Sequence, residues 1–350
     1  MNESNDVKPP LTIRQAPEPE FNRKRLSSHV ADREHMIADY RRRQLTLSAN
    51  RHELGYRNFW QSAEERGFTP LFHGYAARLE TLSHDGTQPW VQHWERHIHQ
   101  VLYLSQWDSR TVVADQSAAL VWGLPILGNV PKRVQRVSAH GVVVGQSRNQ
   151  QTRRNVVPPD GVVIGQVSVT SIEQTIVDLA CEVGGEDALV ALDFALHHQL
   201  TSKERVEECT ARFRGRQNIR RIQDVLAVAD GRVESPGESR TRWRFHTSGL
   251  VVPQAQVWVG NGEWRYRLDN YDPVSKVGFE FDGQGKYDLH EQGAGAAFHQ
   301  ERQRDADLQS AGITVQHLYW DDVSCDEGFK NWQSRFNVQL RIARRRRRAS

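Results

Sequence analysis

Apolar and polar positions along the chain fall into stretches of different period, and each period predicts its own elements. Residues 1–25 are rich in Pro, Asn and Glu without recurrence, which predicts a flexible leader. From about residue 30 to 110, apolar residues return at spacings of three and four among many arginines, as helices require. Within that stretch, RRRQL at 41–45 and RHELGY at 51–56 suit the end of a small winged-helix unit. Residues 111–180 alternate between short strands and turns, with VQRVSAHGVVVGQ and GVVIGQVSVTS rich in valine among polar residues. SIEQTIVDLAC resumes a helical period that puts Ile172, Ile176 and Leu179 on one face. DALVALDFALHHQL continues as helix, and TSKE at 201–204 has the capping-box spacing that opens the next. In RQNIRRIQDVLAVAD, a stripe of Ile219, Ile222, Leu226 and Ala229 leaves Arg216, Arg220 and Arg221 on the remaining surface, as a solvated face or as phosphate contacts.

A different pattern starts near residue 231. In GRVESPGES, Ser235 takes the N-cap position, Pro236 the first helical position, and Glu238 completes a capping box. The helix continues through TRWRFH and stops at Gly249. PQAQVWV, the hairpin signal Asn261-Gly262, EWRYRLDNY, a turn at Asp272-Pro273 and VSKVGFEFD then read as a three-strand meander. A helix over roughly 296–311 ends at Gly312, and ITVQHLY supplies another strand. Helix, meander, helix, strand is the order of a mixed sheet covered by helices, and the chain reads as α+β.

Composition bounds the picture. A chain of 350 residues is comfortable for two domains. No apolar run is long enough to span a membrane, and the first residues lack the order of a signal peptide. Cys181, Cys209 and Cys325 share no metal-site or redox spacing, which fits a reducing cytoplasm. The net charge is +3, but residues 335–350 hold seven arginines and no acid, so the rest of the chain is about −4. Such a tail is either a solvated, disordered appendage or a non-specific hold on nucleic-acid phosphate. In HWERHIH, His93 and His97 lie one helical turn apart; surface histidines on an amphipathic helix explain them better than a zinc site lacking a third ligand.

The stretch with the most chemistry is FEFDGQGKY at 279–287. Alternation sends Phe279 and Phe281 to one face and Glu280 and Asp282 to the other. Asp269 sits on the polar face of the preceding strand, so pairing across the Asp272-Pro273 turn brings three carboxylates together. Clustered carboxylates repel, and a hard divalent cation offsets them: Mg²⁺ or Mn²⁺ rather than zinc. A metal held there lowers the pKa of a bound water and neutralises a phosphoryl oxygen, while Lys286 orients the water or stabilises developing charge. That is the chemistry of phosphodiester cleavage.

Asp269, Glu280-Phe281-Asp282 and Lys286 together resemble the PD-(D/E)xK nuclease superfamily, in the branch related to very-short-patch-repair endonucleases. The chain is also similar to an actinobacterial group of uncharacterised proteins at SAALVWGLP (117–125), VTSIEQTIVDLA (169–180), ESPGES (234–239), EFDGQGKY (280–287) and RDADLQSAG (304–312). This likeness covers about residues 110–323 and implies a type IV abortive-infection antitoxin-like region over 26–230, helical, winged-helix-like and partly β. A restriction-endonuclease-like α/β domain with a mixed central sheet would occupy 231–334, and the arginine-rich tail 335–350. It also implies a helix-borne acid at Glu238, metal-binding acids at Asp269 and Glu280, and an auxiliary Lys286. The sequence departs from the superfamily at 282, where Asp282 stands in place of lysine and serves as a further ligand or base. The expectation is a cytoplasmic, DNA-associated, Mg²⁺- or Mn²⁺-dependent endonuclease in phage defence. Arg216, Arg220, Arg221, Arg344, Arg345 and Arg346 would contact nucleic acid, with a cognate toxin as a further partner.

Each site residue has a second reading. Glu238 closes its capping box; Asp269 pairs with Arg267; Glu280 and Asp282 pair with Arg302 or Arg304. Those pairings would leave a non-catalytic, antitoxin-like DNA-binding regulator on a degenerate nuclease fold, or an interaction module for a toxin.

Overall fold

In the computed structural model of the chain, the described residues are 11–46, 61, 63–72, 75–79, 89–106, 110–138, 145–147, 149–154, 157, 159–262, 265–283 and 294–349. They divide into a central unit, Glu20–Ala227, and a discontinuous unit made of Met1–Pro19 with Val228–Ser350. Both mix helix with sheet, and each holds one mixed sheet. Among the described residues no helix is long and apolar enough to cross a membrane.

Strand β1 (Thr12–Gln15) belongs to the discontinuous unit. The central unit opens with α1 (Arg23–Arg42), whose N-cap Asn22 accepts from the amides of Lys24 and Arg25. Strands β2 (Gln44–Thr46), β3 (Thr69–Phe72) and β4 (Tyr75–Ala77) form a small antiparallel sheet. Helix α2 (Pro89–Ser105), β5 (Thr111–Val113) and α3 (Asp115–Trp122) lead into β6 (Val134–Ser138), β7 (Gly145–Gln146), β8 (Gln150–Arg154), β9 (Gly161–Ile164) and β10 (Val167–Thr170). Strands β5 to β10 make a six-stranded sheet in the order β7-β8-β6-β5-β10-β9. Helices α4 (Ile172–Glu182), α5 (Gly185–His197), α6 (Lys203–Ala211) and α7 (Arg221–Val228) follow. The stripe Ile172, Ile176 and Leu179 is buried, as its period predicts.

Three details depart from expectation. The cap of α6 is Ser202, not Thr201; Thr201 is buried and donates to Glu173 Oε1 at 2.8 Å, so its hydroxyl is already committed. His93 is exposed, but His97 and His99 are buried, bonded to Ser117 Oγ (2.8 Å) and the Tyr75 hydroxyl (3.0 Å). Burial pushes both imidazoles down to about 4, so they are neutral core groups rather than surface histidines. RRRQL spans the end of α1 and the start of β2, while RHELGY lies outside the described residues.

The discontinuous unit follows the predicted order: α8 (Pro236–Thr247), β11 (Gln254–Gly260), β12 (Arg265–Asp272), β13 (Val277–Phe281), α9 (Ala294–Ser310), β14 (Thr314–Leu318), α10 (Trp320–Val323) and α11 (Asp326–Ala349). Its sheet runs β1-β11-β12-β13-β14, antiparallel except for the β13–β14 pair, which α9 connects as a crossover. Phe279 and Phe281 bury in an aromatic core with Phe245, Phe329 and Trp332; Val257, Val259 and Leu268 pack with Leu308 and Ile313 in another. Two expectations are overturned. Residues 12–15 of the supposed flexible leader pair with β11, because Thr12 to Gln15 complete an otherwise bare strand edge. The tail is helical rather than disordered, since α11 runs through it to Ala349. Phe329, Trp332 and Phe336, spaced three and four apart, seat the start of that helix, and nothing in the arginine run breaks it.

Candidate functional site

The acids of interest gather where the N-terminus of α8 meets the middle of the sheet. Ser235 caps α8 by accepting from the Glu238 amide at 3.2 Å, and Pro236 occupies the first turn. Gly237 allows the approach, because a Cβ there would overlap the Phe281 ring. The next residue, Glu238, is thereby delivered to the sheet and buried. Its carboxyl accepts from Ser235 Oγ (2.8 Å), the Glu234 amide (3.2 Å) and Gln256 Nε2 (2.9 Å). Glu238 therefore serves the helix cap and faces the sheet acids as well.

Between β12 and β13 the backbone ladder runs from Asp272↔Val277 to Asn270↔Phe279. Continuing it by one residue sets Asp269 beside Glu280. There the Phe281 amide donates to Asp269 Oδ2 at 3.1 Å, and the Asp269 amide bonds the Glu280 carboxyl. Asp269 lies close enough to bias both neighbours. Burial first, and the Asp269 carboxylate second, push Glu238 and Glu280 each up to about 7. Arg304 on α9 pulls the other way at Glu280, with Nη2 at 2.5 Å from Oε1.

Asp282 takes a histidine as a partner. Its Oδ2 meets His317 Nδ1 at 2.7 Å on β14, and this bond raises the His317 pKa above its ordinary value. The parallel register sets Glu280 opposite His317, which brings a histidine within reach of the strand end. Lys286 lies outside the described residues. Arg267 does not take Asp269 as its partner; it forms a bidentate pair with Glu234 at 2.8 and 2.9 Å. Of the two arginines proposed as partners for Glu280, Arg304 is the one that reaches it. Among the described residues, no group of three or more His, Cys, Asp or Glu side chains is arranged to hold a metal ion.

Sequence periodicity misses Gln256 and His317. Ala255, Val257 and Val259 fill the inward positions of β11, so a period of two sends Gln256 to solvent, yet it is 2% exposed. A polar residue at the centre of PQAQVWV was its signal; His317 had one only as a polar residue within ITVQHLY.

The central unit holds a second buried charge cluster. Arg153 bridges Asp115 and Asp178, both at 2.9 Å, and Arg216 bridges Asp178 (2.5 Å) and Glu182 (2.9 Å). Asp115 holds its place with φ at +55°. Burial raises the Asp178 carboxyl to about 6 despite its two guanidiniums. Arg216 is thus a buried partner of Asp178 rather than a phosphate contact, which corrects its sequence assignment. Arg221 donates to the Ala180 and Cys181 carbonyls, and Arg220 is exposed. Arg344, Arg345 and Arg346 lie in the last turns of α11. A cavity of about 950 Å³ also opens in the central unit, lined by Arg33, Trp94, Arg96, Ile126 and Lys132 among others. Its lining includes His93 and His97 but none of the clustered acids, which makes the smaller trio the stronger candidate for chemistry that needs carboxylates.

No family model matches the chain. Two uncharacterized proteins, from two strains of Mycobacterium tuberculosis, are each 32% identical to it over 155 residues. The match covers 44% of this chain and 55% of each relative, so the chain spans about half the length of the curated relatives it matches.

Proposed function

We propose that the discontinuous unit is a metal-dependent phosphodiester-cleaving domain of the PD-(D/E)xK type acting on DNA. The observation that carries this reading is the convergence of Glu238, Asp269 and Glu280, with Asp269 raising the pKa of both neighbours. The order α8, β11-β12-β13, α9, β14 supports it, because the acids lie at the middle of that sheet and at the start of its first helix. Neighbouring hard oxygen donors suit a dication, and magnesium is commonly held by one or two carboxylates together with waters and substrate oxygens. Asp269 and Glu280 would hold it. When bound, Mg²⁺ or Mn²⁺ supplies a lowered pKa for water and positive charge beside a phosphoryl oxygen.

The chain's own groups complete the assignment. Glu238, fixed by Ser235 and Gln256, accepts or holds a proton near neutrality beside Asp269. Arg304 balances Glu280 in the ground state and is placed to neutralise substrate phosphate when Glu280 turns to another cation. His317, held by Asp282, takes the place of the superfamily's lysine as the cationic group at the strand end. Incubation of the purified protein with single- and double-stranded DNA and Mn²⁺ or Mg²⁺ tests the reading. Cleavage that disappears in Asp269→Asn and Glu280→Gln supports it; intact DNA under all of these conditions refutes it.

The ion pair between Arg304 and Glu280 favours a second reading, in which the acids are internally neutralised and the fold is a non-catalytic, antitoxin-like regulator that binds DNA. Salt-sensitive DNA binding that is unchanged by EDTA distinguishes it. Cytoplasmic location, phage defence and a cognate toxin belong to the same proposal.

A further inference from the structure

Gln256 combines three features that a structural glutamine in a strand does not need. Its backbone φ is +52°, in the left-handed region, in the interior of β11. A non-glycine residue held there is strained, and such strain collects at functional positions. Its side chain is buried, with Nε2 donating to Glu238 Oε2 at 2.9 Å. Its carbonyl oxygen Oε1, on the same amide carbon, is buried with no hydrogen-bond partner. A buried acceptor left without a donor is costly, and a bound ion or water is what satisfies one.

Register places this residue among the acids. Ala255↔Asn270 and Val257↔Leu268 flank it, so Gln256 stands opposite Asp269, which in turn lies beside Glu280. The bond from Nε2 to Glu238 ties this amide to one of the acids, and Oε1, on the same amide carbon, is left without a hydrogen-bond partner. An amide oxygen is a hard, neutral donor: it adds coordination without adding to the repulsion among three acids.

We infer that Gln256 Oε1 is an additional ligand for the divalent cation, completing an oxygen set with Asp269 and Glu280. The inference rests on the metal-dependent reading above. Three oxygens of this kind, one neutral, select magnesium or manganese over zinc, which prefers nitrogen and sulfur donors.

The test is Mn²⁺ and Mg²⁺ binding to the full chain without DNA, followed by calorimetry and by the Mn²⁺ resonance spectrum. Asp269→Asn is expected to abolish binding. Gln256→Met, which removes the oxygen, is expected to weaken Mn²⁺ about 10-fold or more, in the range that loss of a metal-site contact causes. Gln256→Glu restores an oxygen but not the N–H donor, and is expected to bind at least as tightly as the wild type. Thermal melts in EDTA identify any variant that fails to fold, and Gln256→Glu then decides alone. If Gln256→Met binds as the wild type does while Asp269→Asn does not, Gln256 is not a ligand, though the metal site stands. If Gln256→Glu is as weak as Gln256→Met, the donor to Glu238 is what matters and the inference falls. If the wild type binds neither ion, the metal-dependent reading falls with it.

Discussion

Each of the two units buries a cluster of acids, and each handles it differently. In the central unit, guanidiniums do the compensating: Arg153 and Arg216 are each shared between acids, and fully buried Asp178 meets both. In the discontinuous unit, Glu238 receives neutral donors from Ser235, Gln256 and the Glu234 amide, the Phe281 amide donates to Asp269, and Arg304 reaches Glu280. A lattice of arginines gives these buried acids charged partners and makes the cluster a scaffold, even though burial still raises Asp178 to about 6. Neutral donors orient the Glu238 carboxyl without cancelling its charge, and burial together with the Asp269 carboxylate pushes Glu238, and Glu280 against the pull of Arg304, up to about 7. The composition of the partners, more than the number of acids, separates a structural cluster from a chemical one.

The sharpest way to break this contrast is Arg216→Ala. Removing one partner from a buried network leaves Asp178 under-compensated and is expected to cost about 3–5 kcal/mol, measured as a shift of the urea midpoint.

Acidity separates the units next. In the central unit, His97 and His99 have folded pKa values near 4 against an ordinary 6.5. Their depressed values mean a stability contribution present above pH 6.5 and lost as pH falls towards 4, on the order of 2–3 kcal/mol each. Asp178, raised to about 6, opposes this in part. In the discontinuous unit, Glu238 and Glu280 are raised from 4.5 to about 7, so their contribution is full below pH 4.5 and lost as pH rises through 7. Hydrogen exchange of core amides at pH 5 and pH 8 should show the central unit gaining protection with alkali and the discontinuous unit losing it. Slopes of the same sign would break the contrast.

Asp269→Asn comes third. It removes the charge that pushes up Glu238 and Glu280, and is expected to stabilise the discontinuous unit at pH 8 by about 1–2 kcal/mol while abolishing Mn²⁺-induced stabilisation. A calorimetric scan with and without Mn²⁺ reads both effects. The smallest effect belongs to Arg267→Ala. Its pair with Glu234 is 41% and 39% exposed, and its loss should change stability by less than about 1 kcal/mol. A larger loss would show that this surface pair supports the buried trio.

Much of the discontinuous unit was legible in the sequence because its signals are local. Ser235, Pro236 and Glu238 mark a helix start, Gly312 a helix end, and the alternation of Phe279 to Asp282 sets a strand with two unlike faces. The same alternation brought Asp269 beside Glu280. Legibility ended where the decisive contact was not periodic. Gln256 departs from the strand conformation that its pattern assumes, Asp282 turns to a histidine from the parallel neighbour, and Arg216 is buried by Asp178, which lies 38 residues away. Strand β1 was missed for a similar reason: a short edge strand needs little hydrophobic patterning once its partner offers a row of free backbone groups.

That strand has a consequence for how the protein is made. Thr12 hydrogen-bonds Gly260, a separation of 248 residues. At ordinary ribosomal speeds the first strand therefore leaves the ribosome on the order of ten to fifty seconds before the edge it must join. The whole central unit has time to fold during that wait, and β11 emerges as an open template until the amino-terminal segment returns to it. Recombinant fragments beginning near residue 228 would lack this natural guard and are expected to self-associate through β11.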